Sequence, residues 1–145
     1  MSDGHAGNVI TPDVQRLVRD SFAKIAPNSE AAAFMFYDRL FALDPSLRSL
    51  FKSDMAQQGR KLMTMIGTAV ANLHRLDAIV PTVQDLGRRH IGYGVEPTHY
   101  QTVAAALLWT LEQGLGEEFT SETRQAWVAC YTTLAATMQQ AAQTP

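Results

Sequence analysis

The chain has 145 residues, 46% of them hydrophobic and 18% charged, with a formal net charge of -2, the size and balance of one globular domain that can bury roughly two thirds of its unfolded surface. That charge argues against nucleic acid or an anionic membrane as a partner, and no stretch approaches the roughly eighteen apolar residues of a membrane span. The single cysteine, Cys130, cannot form an internal disulfide, and residues 1–10 carry no basic stretch followed by an apolar run, so the expectation is a cytoplasmic protein without a secretory leader.

Residues 1–10 are polar and glycine-containing, and are expected to be disordered, with residues 11–145 forming the domain. Thr11-Pro12 then sets an N-cap and a proline at the first helical position. A helix follows over about 12–26, with Val14, Leu17, Val18, Ser21, Phe22 and Ile25 on one stripe. The second, over about 28–43, is apolar around nearly its whole circumference (Ala32, Phe34, Met35, Phe36, Leu40, Phe41), the pattern of a helix buried among others. Asp44-Pro45 opens a short helical piece ending near Phe51. A long helix is expected over about 55–73, with Leu62, Met65, Ile66, Ala69 and Leu73 inward. A short one over about 82–89 is stopped by Gly92 and Gly94. The next spans about 97–115, and the last starts after Thr120 and carries Trp127, Tyr131, Leu134 and Met138. No segment alternates as a strand does. The fold class is all-α, six to eight helices of uneven length, which suits steep crossings around a pocket better than an even four-helix bundle.

Chemistry-bearing residues are few. Of four histidines, His5 lies in the polar start, His74 near the end of the long helix, and His99 in a first helical turn. His90 ends a short helix carrying Leu86 one turn earlier, directly before the glycines. One cysteine and no His-x-x-x-His pair exclude the usual zinc cages. No glycine-rich loop follows a strand, so nucleotide-binding fingerprints are absent, and no nucleophile elbow occurs.

Three segments, in order, resemble the globin family over about residues 11–141. Arg39-Leu40-Phe41-Ala42-Leu43-Asp44-Pro45 through Leu50-Phe51 is similar to the second and third helices of neuroglobin-like globins. Leu86-Gly87-Arg88-Arg89-His90 followed by Gly94-Val95 resembles the end of the proximal helix. Leu115-Gly116-Glu117-Glu118-Phe119-Thr120 leading to Trp127 resembles the last inter-helix turn. The pattern is most like microbial single-domain haemoglobins and the globin module of flavohaemoglobins.

The resemblance implies a globin fold enclosing haem b, with His90 as proximal iron ligand. It places Phe51 on the haem face, Leu86 and Val95 on the proximal side, and Leu62 over the distal iron position. Tyr37, fourteen residues before Phe51, matches the distal residue of the second helix. Gln58, one turn before Leu62, would join it. A tyrosine hydroxyl and a glutamine amide in a dry pocket would donate to dioxygen and hold it tightly. Alternatively, Tyr37 is a buried tyrosine bonded to a backbone carbonyl, and Gln58 an exposed helix residue. Gln58 in place of histidine argues against a bis-histidine iron. Lys61 and Arg60 would reach a haem propionate, or form a solvated basic face. Tyr100 stands where flavohaemoglobins place a tyrosine beside the proximal histidine. Ala142 stands where they place its glutamate partner, which weakens the case for peroxidase-like chemistry.

Three functions follow from the resemblance: a dioxygen carrier, store or scavenger that also takes nitric oxide and carbon monoxide; a nitric oxide dioxygenase; or a haem-based sensor module. The residues up to Pro145 show no flavin or nicotinamide domain, so turnover is expected to need a reductase in trans.

Overall fold

Every regular element in the computed structural model, which describes residues 10–51, 54–92 and 96–143, is helical. Six α-helices run in order: α1 (Pro12–Ile25), α2 (Ser29–Leu43), α3 (Met55–Ala71), α4 (Val80–Gly92), α5 (Pro97–Leu115) and α6 (Ser121–Gln143). Short 3₁₀ turns at Ala26–Asn28, Pro45–Leu50, Leu73–Ala78 and Gly116–Glu118 join them. Such tight turns suit connectors, because they still satisfy backbone groups that a helix end leaves orphaned.

Several starts are set by side chains. Thr11 Oγ1 accepts from the Val14 amide at 3.2 Å, and Asp44 Oδ1 from the Ser46 amide at 3.1 Å. Asp54 caps α3 through the Ala56 amide at 3.2 Å, and Thr120 Oγ1 accepts from the Thr123 amide at 3.1 Å. At the head of α5 the caps are reciprocal: the Glu96 side chain accepts from the His99 amide, and the Glu96 amide donates to His99 Nδ1 at 3.0 Å. His99 thus serves the backbone of its own helix.

The helices cross in pairs: α4 on α6, α2 on α5, α1 on α6, and α3 on α2 and α1. One buried cluster joins Val18, Ile25, Val70, Leu73, Leu111 and Trp127. Within it Trp127 Nε1 donates to Ser21 Oγ at 2.8 Å, and Ser21 in turn donates to the Leu17 carbonyl at 2.6 Å. A second cluster joins Phe36, Tyr37, Leu40, Leu47 and Ala106. Two glycines permit close crossings of one helix on another. A Cβ on Gly87 would lie 2.3 Å from the Met138 carbonyl oxygen, so α4 meets the α6 backbone directly. A Cβ on Gly59 would lie 2.9 Å from that of Ala33, which fixes the α2–α3 crossing.

Several expectations are refined. The fourth helix is longer than expected, because Pro81 sits in its first turn, where no amide partner is needed, and Gly92 still lies within it. The long third helix stops at Ala71, and Leu73 belongs to the following 3₁₀ turn. The second helix is not buried all round: Phe34 is 65% exposed. Met65, expected inward, is 40% exposed. Of the polar start, Ile10 is described; it packs against the first cluster, and its carbonyl accepts from Gln15 Nε2 at 3.3 Å. The expectation of disorder for residues 1–9 lies outside the described residues. No helix among the described residues is long and apolar enough to cross a membrane.

Candidate functional site

Helices α3 and α4 pack on other elements and make no extensive contact with each other. From α3 come Gln58 and Leu62, and from α4 come Leu86 and His90, all four half-buried.

On one side, the structure brings Tyr37, Phe51 and Leu62 into a single cluster. The Tyr37 ring meets Phe51 edge-on at 5.3 Å, Phe36 edge-on at 5.0 Å, and stacks on Phe41 at 6.0 Å. Offset and edge contacts of this kind hold an aromatic ring in place. Burial pushes the Tyr37 hydroxyl up to about 12, so it stays protonated and able to donate at any physiological pH. Arg48 lies over Phe41 at 5.4 Å.

On the other side, His90, Leu86 and Tyr100 come together. Nδ1 of His90 lies 2.7 Å from the Leu86 carbonyl oxygen. Donation to that carbonyl selects the tautomer with its lone pair on Nε2 and sets the ring plane. Burial lowers the His90 pKa, the Leu86 carbonyl opposes this, and neighbouring Arg89 lowers it further. The neutral ring, the form that can ligate a metal, is thereby favoured. The Tyr100 ring lies nearly parallel to that of His90, at 6.4 Å. Behind it, Tyr131 on α6 donates to the Tyr100 carbonyl at 2.6 Å. Val103, one turn along α5 from Tyr100, returns to the Tyr37 cluster. Thus α5 joins the two halves.

Lys61 and Arg60 are exposed on α3. Val95 lies outside the described residues, and so does the Ala142 side chain. No group of three or more His, Cys, Asp or Glu among the described residues could cage a bare ion. A single half-buried imidazole, held by the Leu86 carbonyl and flanked by the Tyr100 ring, suits instead a metal that arrives in its own macrocycle, and the donor set fits haem.

The Globin family model matches residues 35–138. The chain belongs to the globin family. It is 30% identical over 138 residues to neuroglobin from the pufferfish Tetraodon nigroviridis, covering 86% of this chain and 87% of that one. It is 30% identical over 130 residues to a flavohemoprotein of Bordetella parapertussis, covering 88% of this chain and 32% of that protein; the chain therefore spans about a third of the flavohemoprotein's length. Among solved structures, an engineered carbene transferase, assigned as a nitric oxide dioxygenase of Rhodothermus marinus, superposes with a TM-score of 0.83 at 25% identity, covering 92% of this chain and 93% of that one. Membership carries the general property of the family, haem-based binding of small diatomic ligands.

Sequence reasoning did not find everything near the site. Tyr131 was visible only as a member of an apolar stripe, because nothing in one sequence says which carbonyl its hydroxyl will meet. Gly59 and Gly87 did carry a signal: a glycine inside a helical pattern marks a close backbone approach. Met63, which borders the space behind Leu62, looks in sequence like any core methionine.

Proposed function

We propose that this globin would hold haem b between α3 and α4, that His90 Nε2 would bind its iron, and that Tyr37 and Gln58 would serve the bound dioxygen. Haem, when bound, supplies the iron and the open position at which a diatomic ligand binds. The chain's own residues do the rest. Leu86 orients the His90 ring through its carbonyl. Phe51, Leu62, Leu86 and Val103 exclude water from the haem faces, and Lys61 offers its ammonium to a propionate at the edge. Tyr37 holds its proton at Oη and would donate a hydrogen bond to a bound diatomic ligand, with Gln58, one turn before Leu62, as a second donor.

The observation that carries this reading is the placement of a protonated tyrosine among Phe36, Phe41 and Phe51. A hydrogen bond made in so apolar a setting is stronger than one made in water. Replacing Tyr37 by Phe leaves the rings packed and removes the donor. The expected result is dioxygen dissociation faster by about tenfold to a hundredfold, the equivalent of about 1.4 to 3 kcal/mol. An unchanged rate would remove Tyr37 from the ligand's surroundings.

Between a carrier and a nitric oxide dioxygenase, two likenesses favour the second: the flavohemoproteins, and the Rhodothermus marinus protein. In that reaction nitric oxide and dioxygen combine to nitrate with one electron, which a reductase supplies. Steady consumption of nitric oxide by the haem-loaded protein with a generic flavin reductase supports the enzyme. A single stoichiometric event, with no turnover, supports the carrier.

A further inference from the structure

His90 and Tyr100 stand on different helices, and both are referred to a third. Gly87, three residues before His90, brings α4 against the α6 backbone at Met138. Seven residues before Met138 on the same helix, Tyr131 donates its hydroxyl to the Tyr100 carbonyl at 2.6 Å. Seven residues are about two helical turns, so Tyr131 and Met138 lie on one face of α6, about 10 Å apart along its axis.

We propose that Tyr131 is a positioning residue for the iron ligand: its bond to the Tyr100 carbonyl fixes the Tyr100 ring beside the His90 imidazole, and α6 thereby sets the spacing of the two rings. This rests on the haem reading above and adds to it a residue that acts through another.

One bond does not fix an imidazole. The Leu86 carbonyl holds His90 at Nδ1, 2.7 Å away, and the ring can still turn about that contact. A second surface limits the turn. The Tyr100 ring provides it, 25° from parallel with the imidazole and 6.4 Å from it between centroids, within the range at which rings constrain each other. Tyr100 is the fourth residue of α5. It lies in the turn where a helix frays most readily, because the first amides lack partners within the helix. The Glu96–His99 capping box secures that turn locally, but it does not tie α5 to another helix. The Tyr131 bond does, and it comes from the helix on which α4 already packs.

The donor is a lasting one. Tyr131 is half-buried, and burial, with Tyr100 close by, raises its pKa well above the ordinary phenol value. It therefore keeps its proton at any physiological pH. A carbonyl oxygen has two lone pairs, so that of Tyr100 can take the Tyr131 proton and still serve its own helix.

The test is resonance Raman spectroscopy of the ferrous haem-loaded protein, which reads the iron–histidine stretch, together with the ferric–ferrous midpoint potential. Wild type is compared with Tyr131→Phe, Tyr100→Ala and the double variant. Tyr131→Phe keeps the ring and removes the donor. It should shift and broaden the stretch, as His90 samples more orientations, and move the potential. Tyr100→Ala removes the ring that Tyr131 holds and should shift both in the same direction. The double variant should go no further than Tyr100→Ala alone, because the tether then has nothing to position. A Tyr131→Phe protein that melts earlier yet keeps the wild-type stretch and potential would overturn the proposal and leave a bond that serves stability alone. A double variant whose shifts are the sum of the single ones would overturn it too. Should Tyr131→Phe fail to fold, a Tyr100→Ala protein with the wild-type stretch and potential would do the same. A wild-type protein that takes up no haem, or that shows no iron–histidine stretch, would overturn the haem reading and the proposal with it.

Discussion

The Nδ1 of His90 sits 2.7 Å from the carbonyl oxygen of Leu86, one turn earlier on the same helix. His90 is therefore oriented from within its own helix, through a backbone carbonyl that sets the ring plane and leaves the Nε2 lone pair free of that bond.

The placement of that helix depends on Gly87. Replacing it by alanine would drive a methyl into the α6 backbone at Met138, 2.3 Å away, with no flexible side chain to yield. The expected cost is about 2 kcal/mol or more, typical of overpacking against a fixed neighbour. Thermal unfolding checks it. The same variant should lose haem faster, because α4 carries His90 three residues on. An unchanged melting temperature would mean that α4 and α6 are less closely apposed than described.

Ser21 and Trp127 make a second such pair, 2.8 Å apart in the core. Ser21→Ala leaves the indole N–H buried without its acceptor, at an expected cost of about 1 to 3 kcal/mol. Denaturant unfolding followed by tryptophan fluorescence measures it. Ser21→Gly should cost at least as much, since it also loosens α1.

Burial pushes the Cys130 thiol up to about 11 and the Tyr37 hydroxyl up to about 12. Both groups are neutral in the fold and ionise sooner in the unfolded chain. Their contribution is fully present below the unfolded pKa values, about 8.5 for the thiol and 10 for the phenol. It is lost as pH rises through the folded values, at up to about 1.4 kcal/mol per pH unit for each group. Stability of the apoprotein should decline from about pH 9 upward, and Cys130→Ala should flatten the first part of that decline. Equal slopes in both proteins would mean that Cys130 is solvated. A thiol reagent should label native Cys130 far more slowly than the unfolded chain.

Helical order was legible where a start carries local chemistry. Thr11-Pro12, Asp44-Pro45 and Thr120 cap where their residue types predict, and Pro97–Leu115 has the expected limits. Boundaries failed where tertiary context decides. Pro81 is compatible with either side of a helix start, and only packing of α4 on α6 settles it. Phe34 reads as core in a run of apolar residues, yet it borders the cleft between α2 and α3. The site was legible in part. The spacing of Tyr37 and Phe51 along the chain becomes a 5.3 Å ring contact, and Tyr100 stands beside His90. What was not legible is pairing at a distance: Tyr131 with the Tyr100 carbonyl, and Gly87 with Met138. Those depend on how two helices cross, and no local pattern encodes that.

The measurement that tests the central claim most directly is the visible spectrum of the haem-loaded protein in ferric, ferrous and carbon monoxide states, compared with His90→Gly in the presence and absence of added imidazole. The account predicts a sharp Soret band in wild type, its loss or broadening in the variant, and its recovery when imidazole takes the place of the missing ring. Haem uptake with the same spectrum in the variant, or no uptake by wild type, would contradict the assignment of His90 as the axial ligand.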